Sequence, residues 1–224
     1  RLSAICVGGV GMALGLALQP LRSRFDRERA HGSRLSWKSA SRAIKITMLQ
    51  PGLRQIVLSS FFFSTMQLCL VSFIVTYLVE ALGMTLVRAG IVLSAAQASG
   101  IIGRVVWGAL ADRLVKPRRL LGLLGVAMAA GALSAAAFSP EWPYAAILIV
   151  SALFGAAAIG WNGVYLAEVA RVATPEAAGT ATGGSLFFTF LGTLLGLPAF
   201  SLIIDLTGSY AVGFGAAAAA TLAC

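Results

Sequence analysis

Long, mostly apolar runs separated by short basic segments constrain this chain more than any other feature. Spanning the ~30 Å hydrocarbon core of a bilayer takes about 20 apolar residues in a helix. By that measure seven runs qualify as candidate spans, at 2–18, 53–82, 86–111, 120–138, 143–168, 179–204 and 209–224. Only 11% of the 224 residues are charged, where a soluble domain carries about a quarter. The composition therefore excludes a soluble enzyme, a secreted disulfide scaffold and a disordered chain, and predicts an all-α polytopic membrane protein. The sequence opens on Arg1 without a signal-cleavage pattern, and no polar tail follows Cys224. A longer parent is expected on both sides.

The formal charge of +9 invites a nucleic-acid reading, but the position of the basic residues argues against it. They gather between alternate runs: Arg22 through Arg54 around the loop after the first run, Arg113, Lys116, Arg118 and Arg119 after the third, and Arg171 after the fifth. The intervening loops hold Arg88 and little else basic. The positive-inside rule then predicts that residues 21–52 are cytoplasmic and that the loop at Glu141 lies on the opposite side. The partners implied are a lipid bilayer and a small molecule, with no nucleic acid. Wound as a helix from Arg34 onward, the long loop puts Trp37, Ala40, Ile44 and Met48 on one face and Arg34, Lys38, Arg42 and Lys45 beside it. That pattern predicts a basic helix lying on the membrane surface.

No catalytic, metal or cofactor site is expected. Cys6, Cys69 and Cys224 all sit in apolar runs without ligand spacing, and the single histidine, His31, lies in the basic loop. An intramembrane enzyme would need a nucleophile with a base, or a metal centre, within the bilayer. The residue that stands out is Arg104. It lies eight positions before Asp112 at the end of its run, so at 1.5 Å per residue it sits ~12 Å inside the boundary. Arginine at that depth costs at least ~2.5–3.5 kcal/mol and normally faces a cavity or a partner. Glu80, Glu168 and Asp205 all fall near run ends, which leaves a substrate carboxylate as the candidate partner. Gln97, Gly100, Arg104 and Gly108 share one helical stripe, read as the wall of a substrate path. Gln67, Trp161, Asn162 and Tyr165 are further candidate contacts, because buried amides and indole nitrogens need partners. Ser60 and Ser64 read more readily as interhelical bonds, and the glycines of the fourth and sixth runs as packing positions.

The string Gly108-Ala-Leu-Ala-Asp112-Arg113-Leu-Val-Lys116-Pro117-Arg118-Arg119 resembles the loop signature of the major facilitator superfamily. Glu168, Arg171, Pro175 and Gly179 resemble that family's junction between its tenth and eleventh helices. The resemblance implies that 1–20 corresponds to the end of the family's sixth helix, 21–52 to its central loop and 53–224 to its C-terminal six-helix bundle. An N-terminal half would be the missing partner of the same fold. It assigns Gly108, Asp112, Arg113, Lys116, Arg118, Arg119, Glu168 and Arg171 to the loop and gate. Gly103-Arg104 before Gly108 and Asp112 is similar to the anion-transporting branches, in which an arginine at this place binds substrate. The resemblance implies a secondary transporter of a small organic anion working by alternating access. The alternatives are a transporter-fold sensor, and a carrier of a neutral or cationic molecule in which Arg104 is structural.

Overall fold

The computed structural model describes residues 2–19, 37–173 and 178–224, and all regular structure among them is helical. The chain forms two units, Arg1–Ser36 and Trp37–Cys224. The described part of the first is α1, Leu2–Leu18. The second contains α2 (Trp37–Leu49), α3 (Pro51–Glu80), α4 (Leu86–Arg113), α5 (Pro117–Ala136), α6 (Tyr144–Gly160), α7 (Asn162–Val172), α8 (Ala178–Thr207) and α9 (Tyr210–Leu222). Among the described residues five stretches are long and apolar enough to cross a membrane, one of them running through α6 and α7 together; α9 and the Gly8–Leu18 part of α1 are apolar but shorter.

Local chemistry explains where these helices start and stop. Pro51 and Pro117 occupy first-turn positions of α3 and α5, where a missing N–H costs nothing. Thr85 and Ser209 cap α4 and α9, their hydroxyls accepting from the backbone N–H groups of Arg88 and Val212 at 3.4 Å. Gly83 and Gly208, with φ of 67° and 66°, close α3 and α8 in the left-handed region that side chains avoid. The α4–α5 turn needs no such residue, since no non-glycine residue among those described has positive φ. Val115 donates its N–H back to the Leu110 carbonyl, and Lys116–Pro117 leads straight into α5.

Helix pairing follows glycine and hydroxyl placement rather than amphipathicity. The most extensive contact joins α4 to α6, followed by α3 with α8 and α5 with α9. A Cβ at Gly155 would collide with the Ala96 carbonyl, and one at Gly103 would stand 2.6 Å from the Ala156 carbonyl oxygen. Small residues thus let the α4 and α6 backbones touch. Between α3 and α8 the Ser64 hydroxyl donates to the Thr189 carbonyl at 2.7 Å, Thr65 to Gly192 at 2.8 Å, and Thr189 to the Ser60 hydroxyl at 3.0 Å. Ser60 and Ser64 therefore act as glue. Gly122 and Gly183, read as packing positions, face open space instead.

The helix Trp37–Leu49 packs against α8 and α3. Its buried residue is Thr47, which with Ala43 fits against Gly184, a position where any Cβ would collide with them. Of the expected apolar face, Ile44 and Met48 are half-buried beside Thr47, and the side chains of Trp37 and Ala40 lie outside those described. Arg34 falls outside the described residues altogether.

Candidate substrate site

The run 143–168 lies in one continuous span, Tyr144–Val172. Its helix is interrupted for a single residue at Trp161, which keeps helical dihedrals (φ −66°, ψ −26°), with Gly160 and Gly163 on either side. Gly160 lets the Trp107 indole approach, since a Cβ there would lie 2.8 Å from Trp107 Cδ1. The break turns two polar side chains toward α3. Trp161 Nε1 donates to Gln67 Oε1 at 3.1 Å, and Asn162 Nδ2 donates to the same oxygen at 3.2 Å. Trp161 is fully buried, with its ring edge-on to Phe63, whereas Gln67 and Asn162 are half-buried. Gln67 thus satisfies the indole while its own NH2 group and the Asn162 carbonyl remain available as donor and acceptor.

Arg104 meets the same break from α4. Its Nε donates to the Ile159 carbonyl at 3.2 Å, two residues before Trp161. Three residues along, Trp107 Nε1 donates to the Ala156 carbonyl at 2.8 Å. Among the described residues no carboxylate lies within ion-pair distance of Arg104, and its terminal nitrogens make no hydrogen bond. Gln97 and Arg104 are exposed and Gly108 half-exposed on one stripe of α4. Gly100 departs from that stripe: it is buried, and a Cβ there would lie 2.5 Å from Ile159 Cβ. Among the described residues its place is a contact between α4 and α6.

At the basic end, Glu168 is fully buried and forms a bidentate pair with Arg171, Nε to Oε2 at 2.7 Å and Nη2 to Oε1 at 2.6 Å. An unpaired carboxylate so placed would be strongly destabilising, and the two bonds from the next turn offset that cost. Tyr165, one turn earlier, is buried with a hydroxyl that has no hydrogen-bond partner among the described residues. Asp112, Arg113, Lys116 and Arg171 line one cleft of about 510 Å³, with Arg118 and Arg119 exposed on the next turn. Asp112 makes no hydrogen bond or ion pair there among the described residues. Gly108 meets nothing within 4 Å, and the close helix approaches of α4 fall at Gly100 and Gly103.

Sequence reasoning misses Trp107, because a tryptophan in an apolar helix carries no signal of a hydrogen bond to a neighbouring backbone. It also misses the bond from the Tyr210 hydroxyl to Glu80 Oε2, 2.6 Å long, which joins α9 to α3 at the end away from the basic loops. Among the described residues no group of three metal-ligating side chains occurs.

A bundle of apolar helices with a polar break inside it and basic loops at one end defines a multi-pass membrane protein. The sequence profile of the Major Facilitator Superfamily matches residues 2–197. The chain belongs to that superfamily. No curated protein sequence matches it. Among solved structures it is similar to the E. coli fucose:proton symporter, with a TM-score of 0.67 at 18% identity. The match covers 84% of this chain and 45% of the symporter, so the chain spans less than half the length of that protein.

Proposed function

We propose that this chain forms the central loop (21–52) and C-terminal bundle (53–224) of a secondary transporter, preceded by the end of a sixth helix (1–20). In this reading a partner N-terminal bundle supplies the other wall, and a small organic anion crosses by alternating access. One observation carries the anion assignment. Arg104 is anchored through Nε beside the helix break, with its two terminal nitrogens unbonded among the described residues. A guanidinium held in that way offers a carboxylate a parallel two-bond contact. Gln67 and Asn162 would orient the rest of the substrate, with Trp161 and Tyr165 behind them. Glu168 and Arg171, with the loop from Gly108 to Arg119, would form the gate at the basic end.

A neutral hydroxylated substrate is the second reading, favoured by the amide pair Gln67–Asn162 and in keeping with the fucose named for the structural relative. Arg104 would then be structural, through its bond to Ile159. Competition for binding by a carboxylate against its amide analogue, in the protein and in Arg104→Gln, separates the two. Loss of the carboxylate preference in the variant supports the anion reading; binding of the amide with equal affinity to both proteins overturns it. A sensor built on the same fold would bind ligand yet fail to exchange it across vesicles in a counterflow assay.

A further inference from the structure

Trp107 follows Arg104 by one turn of α4, and the proposed substrate path gives it no task. An indole has one donor and no acceptor, so a half-buried tryptophan in an apolar helix must aim its N–H at an oxygen. It finds one on the neighbouring helix: Trp107 Nε1 donates to the Ala156 carbonyl at 2.8 Å. The place is shaped for the ring. A Cβ at Gly160 would lie 2.8 Å from Trp107 Cδ1, and one at Gly103 would lie 2.9 Å from Nε1. Glycines on two helices, α4 and α6, therefore make the seat, and a methyl group on either would push the indole out of it.

This bond is tied to the one made by Arg104. The donors, Arg104 and Trp107, are one turn apart on α4, and their acceptors, Ala156 and Ile159, are one turn apart on α6. The two helices run in the same direction, with Arg88 over the Tyr144 ring at their starts. The earlier donor reaches the later acceptor, so the bonds cross. One bond alone leaves the two turns free to pivot about it, and a second fixes their relative rotation. The two bonds also differ in what they can hold. The Arg104 bond is 3.2 Å long and borne by an exposed, rotamer-rich side chain, whereas the indole is rigid and seated between helices.

We propose that Trp107 is a positioning residue for the anionic group of the substrate. It holds the α6 turn whose Ile159 carbonyl anchors Arg104 Nε, and so sets where the two terminal nitrogens of Arg104 point. The step rests on the anion reading given above and deepens it, because the preference for a carboxylate then depends on a side chain that does not touch the substrate. An indole that only filled space would support charged and uncharged ligands alike.

Equilibrium binding to the purified intact transporter tests this, with the unbranched monocarboxylates from acetate to octanoate as probes and their primary amides as uncharged counterparts. The readout is the ratio of carboxylate to amide affinity, which a general loosening of the bundle would leave alone. Trp107→Phe fills much of the seat without a donor and should lower that ratio about 2–10-fold, the range of one net hydrogen bond, with amide affinity unchanged. Gly160→Ala keeps the donor but closes the seat, and should do the same. In an Arg104→Gln background Trp107→Phe should change nothing further, since the group it positions is gone. An unchanged ratio in Trp107→Phe overturns the proposal. So does an equal loss for carboxylate and amide, or an effect that persists in full without Arg104. Where Trp107→Phe does not fold, Gly160→Ala decides by the same criteria. Equal affinity for carboxylate and amide in the unaltered protein overturns the anion reading and this step with it, a result distinct from failure at Trp107 alone.

Discussion

Arg104 has one nitrogen committed to a backbone carbonyl and two that are not, and this division sets what its replacement should do. Arg104→Lys keeps the charge but loses the planar fork, so substrate binding in the intact transporter should weaken substantially. Arg104→Gln should lower affinity roughly 10–150-fold, the equivalent of about 1.5–3 kcal/mol for a charge-assisted hydrogen bond. Equilibrium binding on correctly inserted protein is the measurement, and unchanged affinity in Arg104→Gln would make the residue structural. The depth of Arg104 is legible in the sequence, because a charge flanked by apolar residues can be located by counting back from Asp112. The fate of Gly100 is not. Helical periodicity says that it neighbours Arg104 on a stripe, but not that Ile159 covers it. Gly155 poses the same problem more sharply, and Gly155→Ala should destabilise the bundle by about 1–3 kcal/mol through overpacking against Ala96. A thermal-unfolding series in detergent checks it; a variant that melts with the parent protein would show that α4 and α6 can separate at no cost.

Among the elements, the broken α6–α7 segment and α2 mark the limits of pattern reading. An apolar run of this length reads as one span, and the structure keeps it as one; what hydropathy does not mark is the one-residue interruption at Trp161. Gln67, Trp161 and Asn162 are each visible as polar groups in apolar surroundings, yet their meeting at a single oxygen depends on how α3 and α7 cross. In α2 the apolar periodicity marks Ile44 and Met48, both half-buried, but it does not mark Gly184 on another helix, against which Thr47 and Ala43 fit. A sequence pattern registers side chains, and it does not register the cavities that receive them. The shared acceptor gives a direct test. Gln67→Leu leaves Trp161 Nε1 and Asn162 Nδ2 without their acceptor and should cost about 1–3 kcal/mol. Gln67→Glu keeps an acceptor in place and should cost less than the leucine. Equal melting temperatures for Gln67→Leu and the parent protein would mean that the break does not depend on this bond.

For the molecule as a whole, the alternation of basic and non-basic loops predicts the orientation. A cysteine introduced at position 36, in a background lacking Cys6, Cys69 and Cys224, should react with an impermeant maleimide only after the membrane is opened. Labelling from outside intact cells would reverse the topology. Residues 1–224 alone, reconstituted into vesicles, should show no uptake, because the substrate path in this fold lies between two bundles; measurable counterflow would contradict that. The bonds around Trp161 carry a further mechanical consequence. Two rungs from α4, Arg104 to Ile159 and Trp107 to Ala156, fasten α6 just before the break, and Gln67 pins the break itself to α3. What lies beyond is an arm of 11 residues, α7, carrying Glu168 and Arg171. At 1.5 Å per residue it is about 16 Å long, so a tilt of only ~10° at this fulcrum sweeps its tip by roughly 3 Å. Were the span to bend at Trp161, a displacement of that size would amount to a full hydrogen-bond length at the membrane surface.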